Sequence, residues 1–432
     1  MFFNYNYDVI IVGGGISGLF LAYKLIDTNL KVILIEGESK VGGRIQTIQK
    51  NGTTFESGAA RFHSSHGKLL SLIQDLDLED DILKLPGDID NILRGSKADF
   101  PYSTKNNLDM KELLQNSLEK KDNYKEEELQ NITLFQYLTL IYDHETAKFI
   151  QDSFGYDAEF IHLNALAALQ MFEEDFFKEN DYFILKNGID QLIKKMEKEI
   201  MKSNILLKKD CTIIDINDEY IVTDKKDKFY FKHLICAIPK TALQKFSYFK
   251  NNELLNSVDP IHLLRVYAKY PTENLWFEKL KRTITDNYIR HIIPINPKNG
   301  LIMISYTDSN CAKMWLDYYK NGEQFLIDAL HKEIKELYQI EPPQPEFISV
   351  HSWEEGLHVW NTGFNMKEVS RKVLQPDKTK EIYICGESYS RKQGWIEGPL
   401  ETCYNILYKL LPKYGYQVVN NKYDCDVEID DK

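Results

Sequence analysis

The stretch from Tyr7 to Glu36 restricts the possible folds of this chain more than any other. Tyr7-Asp8-Val9-Ile10-Ile11-Val12 has the length and β-branched content of a strand buried on both faces of a parallel sheet. It runs directly into Gly13-Gly14-Gly15-Ile16-Ser17-Gly18, a G-x-G-x-x-G turn with its glycines at Gly13, Gly15 and Gly18. Gly13 permits the tight turn, Gly15 lets the backbone approach a pyrophosphate, and Gly18 allows close contact between helix and strand. Leu19 to Ile26 has helical periodicity, so the N–H groups that open this helix, at Ile16 and Ser17, face the phosphates. A second strand, Lys31 to Ile35, ends at Glu36, where an acidic side chain accepts hydrogen bonds from ribose hydroxyls. Strand, glycines, helix, strand and acid in this order predict a Rossmann-type unit that binds a dinucleotide. A lone glycine turn would be weak evidence, and a βα turn that binds nothing is the alternative.

Two further blocks extend the pattern. Val41-Gly42-Gly43-Arg44 begins five residues after Glu36, with Lys40 two places before the glycines. Near the C-terminus, Ile382-Tyr383-Ile384-Cys385-Gly386-Glu387 reads as a strand ending in Gly-Glu, and Gly394-Trp395-Ile396-Glu397-Gly398-Pro399 follows. Together the three blocks resemble the FAD-dependent amine oxidases, the superfamily of flavin monoamine oxidases, polyamine oxidases and L-amino-acid oxidases. The resemblance implies FAD as cofactor, with Gly43 and Arg44 against the pyrophosphate. It also implies a backbone contact to adenine near Cys211, a Gly58-Ala59 turn passing the flavin ring, and Gly386, Glu387, Trp395 and Ile396 closing the site.

At 432 residues the chain can hold two lobes with substantial cores. The expected fold class is α/β: a Rossmann-type FAD-binding lobe with an interleaved α+β substrate-binding lobe of mixed sheet plus helices. The FAD-binding lobe is expected from 1–85, 205–245 and 350–412, and the substrate-binding lobe from 86–204 and 246–349. Residues 107–203 read as mostly helical, and Pro342, Pro343 and Pro345 mark the return to the FAD lobe. Residues 413–432 read as an acidic tail.

A net charge of −12 argues against nucleic acid as a partner, because phosphate neutralisation needs a basic surface. The six cysteines show no C-x-x-C and no metal-type spacing, so free thiols in a reducing compartment are expected and no metal site. No leader of signal-peptide type precedes the first strand, and no apolar run is long enough to span a bilayer. The expectation is a soluble, cytoplasmic protein with no membrane partner; a homodimer is left open.

Flavin amine oxidation needs orientation and a polar anchor more than side-chain chemistry, because the cofactor takes the electrons. Trp395, inside the closing motif, is the expected aromatic wall, the alternative being a core tryptophan. Trp353-Glu354-Glu355 resembles the segment before the covalent-flavin cysteine of monoamine oxidases, and counting forward places Thr362 where that cysteine would be. Non-covalent FAD is therefore expected. Gly363 stands where those enzymes have a cage tyrosine, and Trp360 could supply the missing wall. His358 falls where L-amino-acid oxidases place a carboxylate-binding tyrosine, although an ordinary surface or core histidine reads at least as well. Arg61 stands three residues after Gly58, as does the carboxylate-binding arginine of L-amino-acid oxidases. It could instead pair with Glu56 or with FAD. Matching Thr285-Asp286 and Arg290 to the same enzymes puts Arg282 at the position of the flavin N5 lysine and makes its neighbour Lys281 the candidate.

The expected activity is dehydrogenation of the C–N bond of a monoamine or polyamine to an imine, with O2 reduced to H2O2. One alternative is an L-amino-acid oxidase using Arg61 for the carboxylate. Another is a desaturase or protoporphyrinogen-oxidase-like enzyme acting on C–C bonds. A third is a non-catalytic FAD-stabilised binding protein.

Overall fold

The computed structural model describes residues 6–87, 89–93, 109–178, 180–273 and 275–418. Of the expected acidic tail 413–432, residues 419–432, with Cys425, lie outside them, whereas Tyr414, Tyr416 and Val418 pack against the protein core, so that the tail does not begin at 413.

The dinucleotide unit forms as its sequence dictates. β1 (Tyr7–Val12), α1 (Ile16–Lys24) and β2 (Val32–Ile35) follow one another. β1 pairs in parallel with β2 on one side and with the strand Lys228–Cys236 on the other. Leu206–Lys208 extends the sheet beyond β2, and Ile382–Ile384 pairs in parallel with the C-terminal half of Lys228–Cys236. Five parallel strands thus place Glu36, Gly13, Ala237 and Cys385 together at their carboxyl ends, the edge at which open α/β sheets bind ligands. β1 is buried on both faces. Val9 and Ile11 pack with Leu19, Phe20 and the helices Gln191–Lys202 and Glu397–Leu410, while Ile10 and Val12 face the core of the helical region. That two-sided burial is why the strand reads as an unbroken apolar run.

A second, six-stranded sheet carries the other half of the molecule. Its order is Phe347–Trp360, Val258–Lys269, Leu301–Asp308, His291–Asn296, Arg282–Thr285 and Ile89–Ile92. All pairs are antiparallel except the last. Helices between Met110 and Met171 pack against one another and against this assembly.

Two expected boundaries fall differently. The return at residue 350 lies inside a continuous strand, Phe347–Trp360, which stays in the six-stranded sheet to its end. The prolines do precede that strand, but they lead into the second sheet and not out of it. Helix Gln191–Lys202 was expected in the substrate lobe, yet Leu192, Ile193, Met196 and Ile200 belong to the core built around α1. Its amphipathic spacing gives it one apolar face, and α1 is what that face covers.

Candidate active site

The glycine cradle is open where a pyrophosphate needs room. Gly15 is the N-cap of α1 and no side chain caps that helix, leaving its first N–H groups available. A Cβ placed on Gly15 would meet nothing within 4 Å. The other two motif glycines are crowded instead. A Cβ on Gly13, which has φ +104°, would lie 2.5 Å from the Ala237 carbonyl oxygen, and one on Gly18 would lie 1.9 Å from that of Gly13. One glycine clears space for a ligand while two let backbone touch backbone. Gly42 N–H donates to the Gly14 carbonyl at 2.8 Å, laying the Gly42-Gly43 turn directly over the cradle. The Glu36 carboxylate closes the strand end, accepting from Gly14 N–H at 2.5 Å and Glu38 N–H at 2.8 Å. The Cys211 N–H is taken by the Glu36 carbonyl at 3.0 Å, tying the segment expected near adenine to this corner. Open cradle, free helix N-terminus and strand-end carboxylate together fit a dinucleotide.

Beyond the cradle, Arg44 and Glu387 bind the lobes together. Arg44 Nη1 donates to Glu387 Oε2 at 2.9 Å and to the carbonyls of Glu355 and Gly356. Those carbonyls sit where the ladder between Val258–Lys269 and Phe347–Trp360 changes register, so a break in sheet pairing supplies the acceptors. Glu387 Oε1 accepts from the backbone N–H groups of His358 and Gly394, and Oε2 also contacts His358 Nδ1 at 2.8 Å. Burial would raise this carboxyl, but Arg44 and His358 outweigh it and hold it well below the usual carboxylate range. His358 shows the mirror effect: burial alone would lower the imidazole, yet Glu387 and Glu355 leave its pKa raised. Its ring is thus committed to two glutamates. It lines the cavity described next but is fully buried.

A cavity of about 650 Å³ lies where the Glu56–Arg61 segment, the six-stranded sheet, the turn Ala158–His162 and the Gln393–Ile396 loop meet. That volume suits a small-molecule site. Trp395, Trp360, Arg61, His358, Ala59 and Ile396 all line it. Trp395 stands edge-on to His63 and His66, at 5.2 and 4.9 Å between ring centres, so its plane is fixed from behind. The Arg61 guanidinium lies over Tyr182 at 5.4 Å and over Trp395 at 6.0 Å. Glu56 is not its partner, since that carboxylate accepts from Thr47 Oγ1 and Ile189 N–H, and burial raises it to about 7.

The two residues around the expected N5 position separate. Lys281 is exposed, 4.0 Å from Asp90, and does not line the cavity, whereas its neighbour Arg282 does. Successive strand residues face opposite ways, so a one-residue offset in matching exchanges wall for solvent. Arg282 Nε is buried with no hydrogen-bond partner, and burial, reinforced by Arg61, pushes the guanidinium down to about 10. Thr362 is exposed beyond the end of the Phe347–Trp360 strand and is not part of the cavity wall. The count from Trp353 therefore does not reach the cavity, but among the described residues no cysteine lines it either. Gly58 packs tightly, since a Cβ there would lie 1.9 Å from the Arg44 carbonyl oxygen.

Several cavity residues were not singled out from the sequence: Arg265, Tyr156, Tyr306, Glu159 and Asp308. A usable signal existed. The chain has eight arginines among 53 basic residues, and Arg61, Arg265, Arg282 and Arg391 all line this one cavity. In a lysine-rich chain, arginine retained inside apolar strands marks places where a planar, permanent cation is needed.

Among the described residues no cluster of metal-ligating side chains exists, and no helix is long and apolar enough to cross a membrane. The five described cysteines are free.

The sequence profile of the flavin containing amine oxidoreductases matches residues 16–404. Achacin from Lissachatina fulica is 22% identical over 93% of this chain and 92% of its own length. Protoporphyrinogen oxidase 2 of Arabidopsis thaliana is 36% identical over 72 residues, which is 17% of this chain and only 14% of that protein. A structure of a putrescine oxidase variant superposes with a TM-score of 0.74 at 16% identity, covering 94% of this chain and 99% of the other.

Proposed function

The chain belongs to the flavin-containing amine oxidoreductases, and from that premise we propose that it is an oxidase of small amines that carry a carboxylate, that is, of amino acids. The substrate would give up a hydride from Cα–H and a proton from its nitrogen as the C=N bond forms, FAD, the family's cofactor, supplying the two-electron oxidising power and O2 being reduced to H2O2. The imine product then hydrolyses to an oxo acid and ammonia.

One observation carries the choice of substrate. Arg61 and Arg282 both line the cavity, and neither makes an ion pair among the described residues. Two guanidinium groups that repel each other in an enclosed space need an anion, and a carboxylate matches the planar fork of arginine. Arg61 is pre-oriented by the Tyr182 and Trp395 rings, and Arg282 by its place at the start of a sheet strand. Half-buried Tyr156, beside Tyr306 and these arginines, has its phenol pushed upward by loss of hydration, so it stays neutral and offers a hydroxyl hydrogen bond. Trp395 walls the cavity, and the Glu387–Gly394 hydrogen bond holds its loop in place.

A monoamine or polyamine would leave the two arginines without an anion. A protoporphyrinogen-type substrate brings carboxylates for the arginines, but its macrocycle would press carbon against Glu159 and Asp308 on the same wall. Peroxide-coupled screening of L-amino acids, their decarboxylated amines and polyamines tests the reading. Turnover of amino acids above that of the matching amines is expected, and the reverse order would overturn it.

A further inference from the structure

The cavity is sorted by charge. The largest electrostatic influences on Arg282 are Arg61 and the phenols of Tyr156, Tyr182 and Tyr306, none of them a carboxylate. Glu159, on the wide helical turn Ala158–His162, feels Asp308 and Asp157; its own backbone N–H is its one opposing donor, and no cation among the described residues offsets the two acids. Both residues line the same space.

Of the cavity's enclosed acids, the others have partners. Glu56 is held by Thr47 and Ile189. Asp308 accepts from the N–H groups of Asp157 and Ala158, which caps the turn carrying Glu159. Asp175 lies 3.8 Å from Lys392 and the same distance from His63. Asp157, beside the cavity, accepts from Gln151 and approaches Arg290. Asp175 Oδ1 and Glu159 Oε2 are both buried without a hydrogen-bond partner among the described residues, but Asp175 has Lys392 beside it and Glu159 has no described cation to balance it. A carboxyl oxygen buried without a partner at a cavity wall costs stability unless a ligand completes it.

We infer that Glu159 determines substrate specificity by binding a cationic group at the end of the substrate away from its carboxylate. The preferred substrate is then a basic amino acid, its carboxylate on Arg61 and Arg282 and its side-chain ammonium on Glu159. The inference rests on the carboxylate reading above. Burial raises Glu159 to about 8, and a bound ammonium would favour its ionised form.

Unreactive ligands separate the two claims. Calorimetry on the FAD-loaded protein would compare 5-aminopentanoate and 6-aminohexanoate with hexanoate, which has the carboxylate but no ammonium. The better aminocarboxylate should bind roughly 10- to 100-fold more tightly than hexanoate, the range for a hydrogen bond between charged groups. Glu159→Gln should abolish that advantage while leaving hexanoate affinity unchanged, and hexanoate thereby reports that the folded arginine end is intact. Hexanoate binding as tightly as both aminocarboxylates in the unsubstituted protein would overturn the role of Glu159 and leave the carboxylate reading standing. Binding of hexylamine with none of the carboxylates would overturn both.

Discussion

Glu387 is surrounded only by donors, and replacing it with glutamine shows what that arrangement contributes. One oxygen accepts from the N–H groups of His358 and Gly394; the other faces Arg44 Nη1 and His358 Nδ1. Whichever way the amide of Glu387→Gln turns, its NH2 points at two donors. Shape is conserved, so packing does not change, while about two charge-assisted hydrogen bonds are lost and Arg44 loses its counter-ion. Breaking one partner of a buried ion pair costs about 3–5 kcal/mol. Taking an unfolding entropy of about 2.1 cal/mol/K per residue, 432 residues give about 0.9 kcal/mol/K, so the melting temperature should fall by about 3–5 °C. Thermal unfolding of the FAD-loaded protein, followed by flavin release, is the assay. The sign with pH is also fixed. The Glu387 carboxyl is depressed when folded, so its stabilisation is present above its ordinary value of 4.5 and fades as pH falls. The gap between variant and parent should therefore close in acid. A variant melting with the parent at pH 7 would refute the reasoning.

Three further outcomes follow from the same contacts. Glu36→Ala should lower FAD occupancy after purification without unfolding the apoprotein, measured by the flavin-to-protein absorbance ratio; full occupancy would assign Glu36 another role. Acid precipitation should release yellow flavin into the supernatant, because no cysteine lines the cavity among the described residues; flavin retained in the pellet would contradict this. Glu159 is raised from an ordinary 4.5 to about 8, so the folded state keeps a proton that the unfolded chain has released between those values. Stability of the substrate-free protein should therefore decline as pH rises through that window, by on the order of a few kcal/mol. Glu159→Gln should flatten the decline in denaturant titrations at pH 5 and pH 9, and an unchanged pH slope would count against it.

What the sequence disclosed follows from how local each signal is. The β1 run, the Gly13–Gly18 turn and Glu36 act over one βαβ unit, so their meaning survives without knowledge of distant partners. Arg61 and Trp395, which both line the cavity, are legible in the sequence because each sits at a fixed offset from a motif. Lys281 was preferred to Arg282 because a single-residue offset cannot be resolved by spacing alone. Thr362 was misplaced because the count ran past the end of the strand at Trp360, where the chain turns outward: Asn361 N–H bonds to Ser257 and Gly363 N–H to Gln130. His358 reads from sequence as a substrate contact or as an ordinary histidine, and the choice stays open there because its partner Glu387 lies 29 residues away and only the fold joins them. Glu159 had no local signal, because its character comes from what is absent around it.

The central claim is that Arg61 and Arg282 select a carboxylate, and Arg61→Met measures it most directly. kcat/KM would be determined from H2O2 formation for an L-amino acid and for its decarboxylated amine, in parent and variant, with the flavin spectrum as control. Losing a desolvated charge pair costs about 2–5 kcal/mol, so kcat/KM for the amino acid should fall on the order of 30- to several thousand-fold. The amine should be nearly unaffected and the flavin spectrum unchanged. An equal loss for both substrates, or loss of flavin together with activity, would place Arg61 in the architecture of the site and contradict the claim.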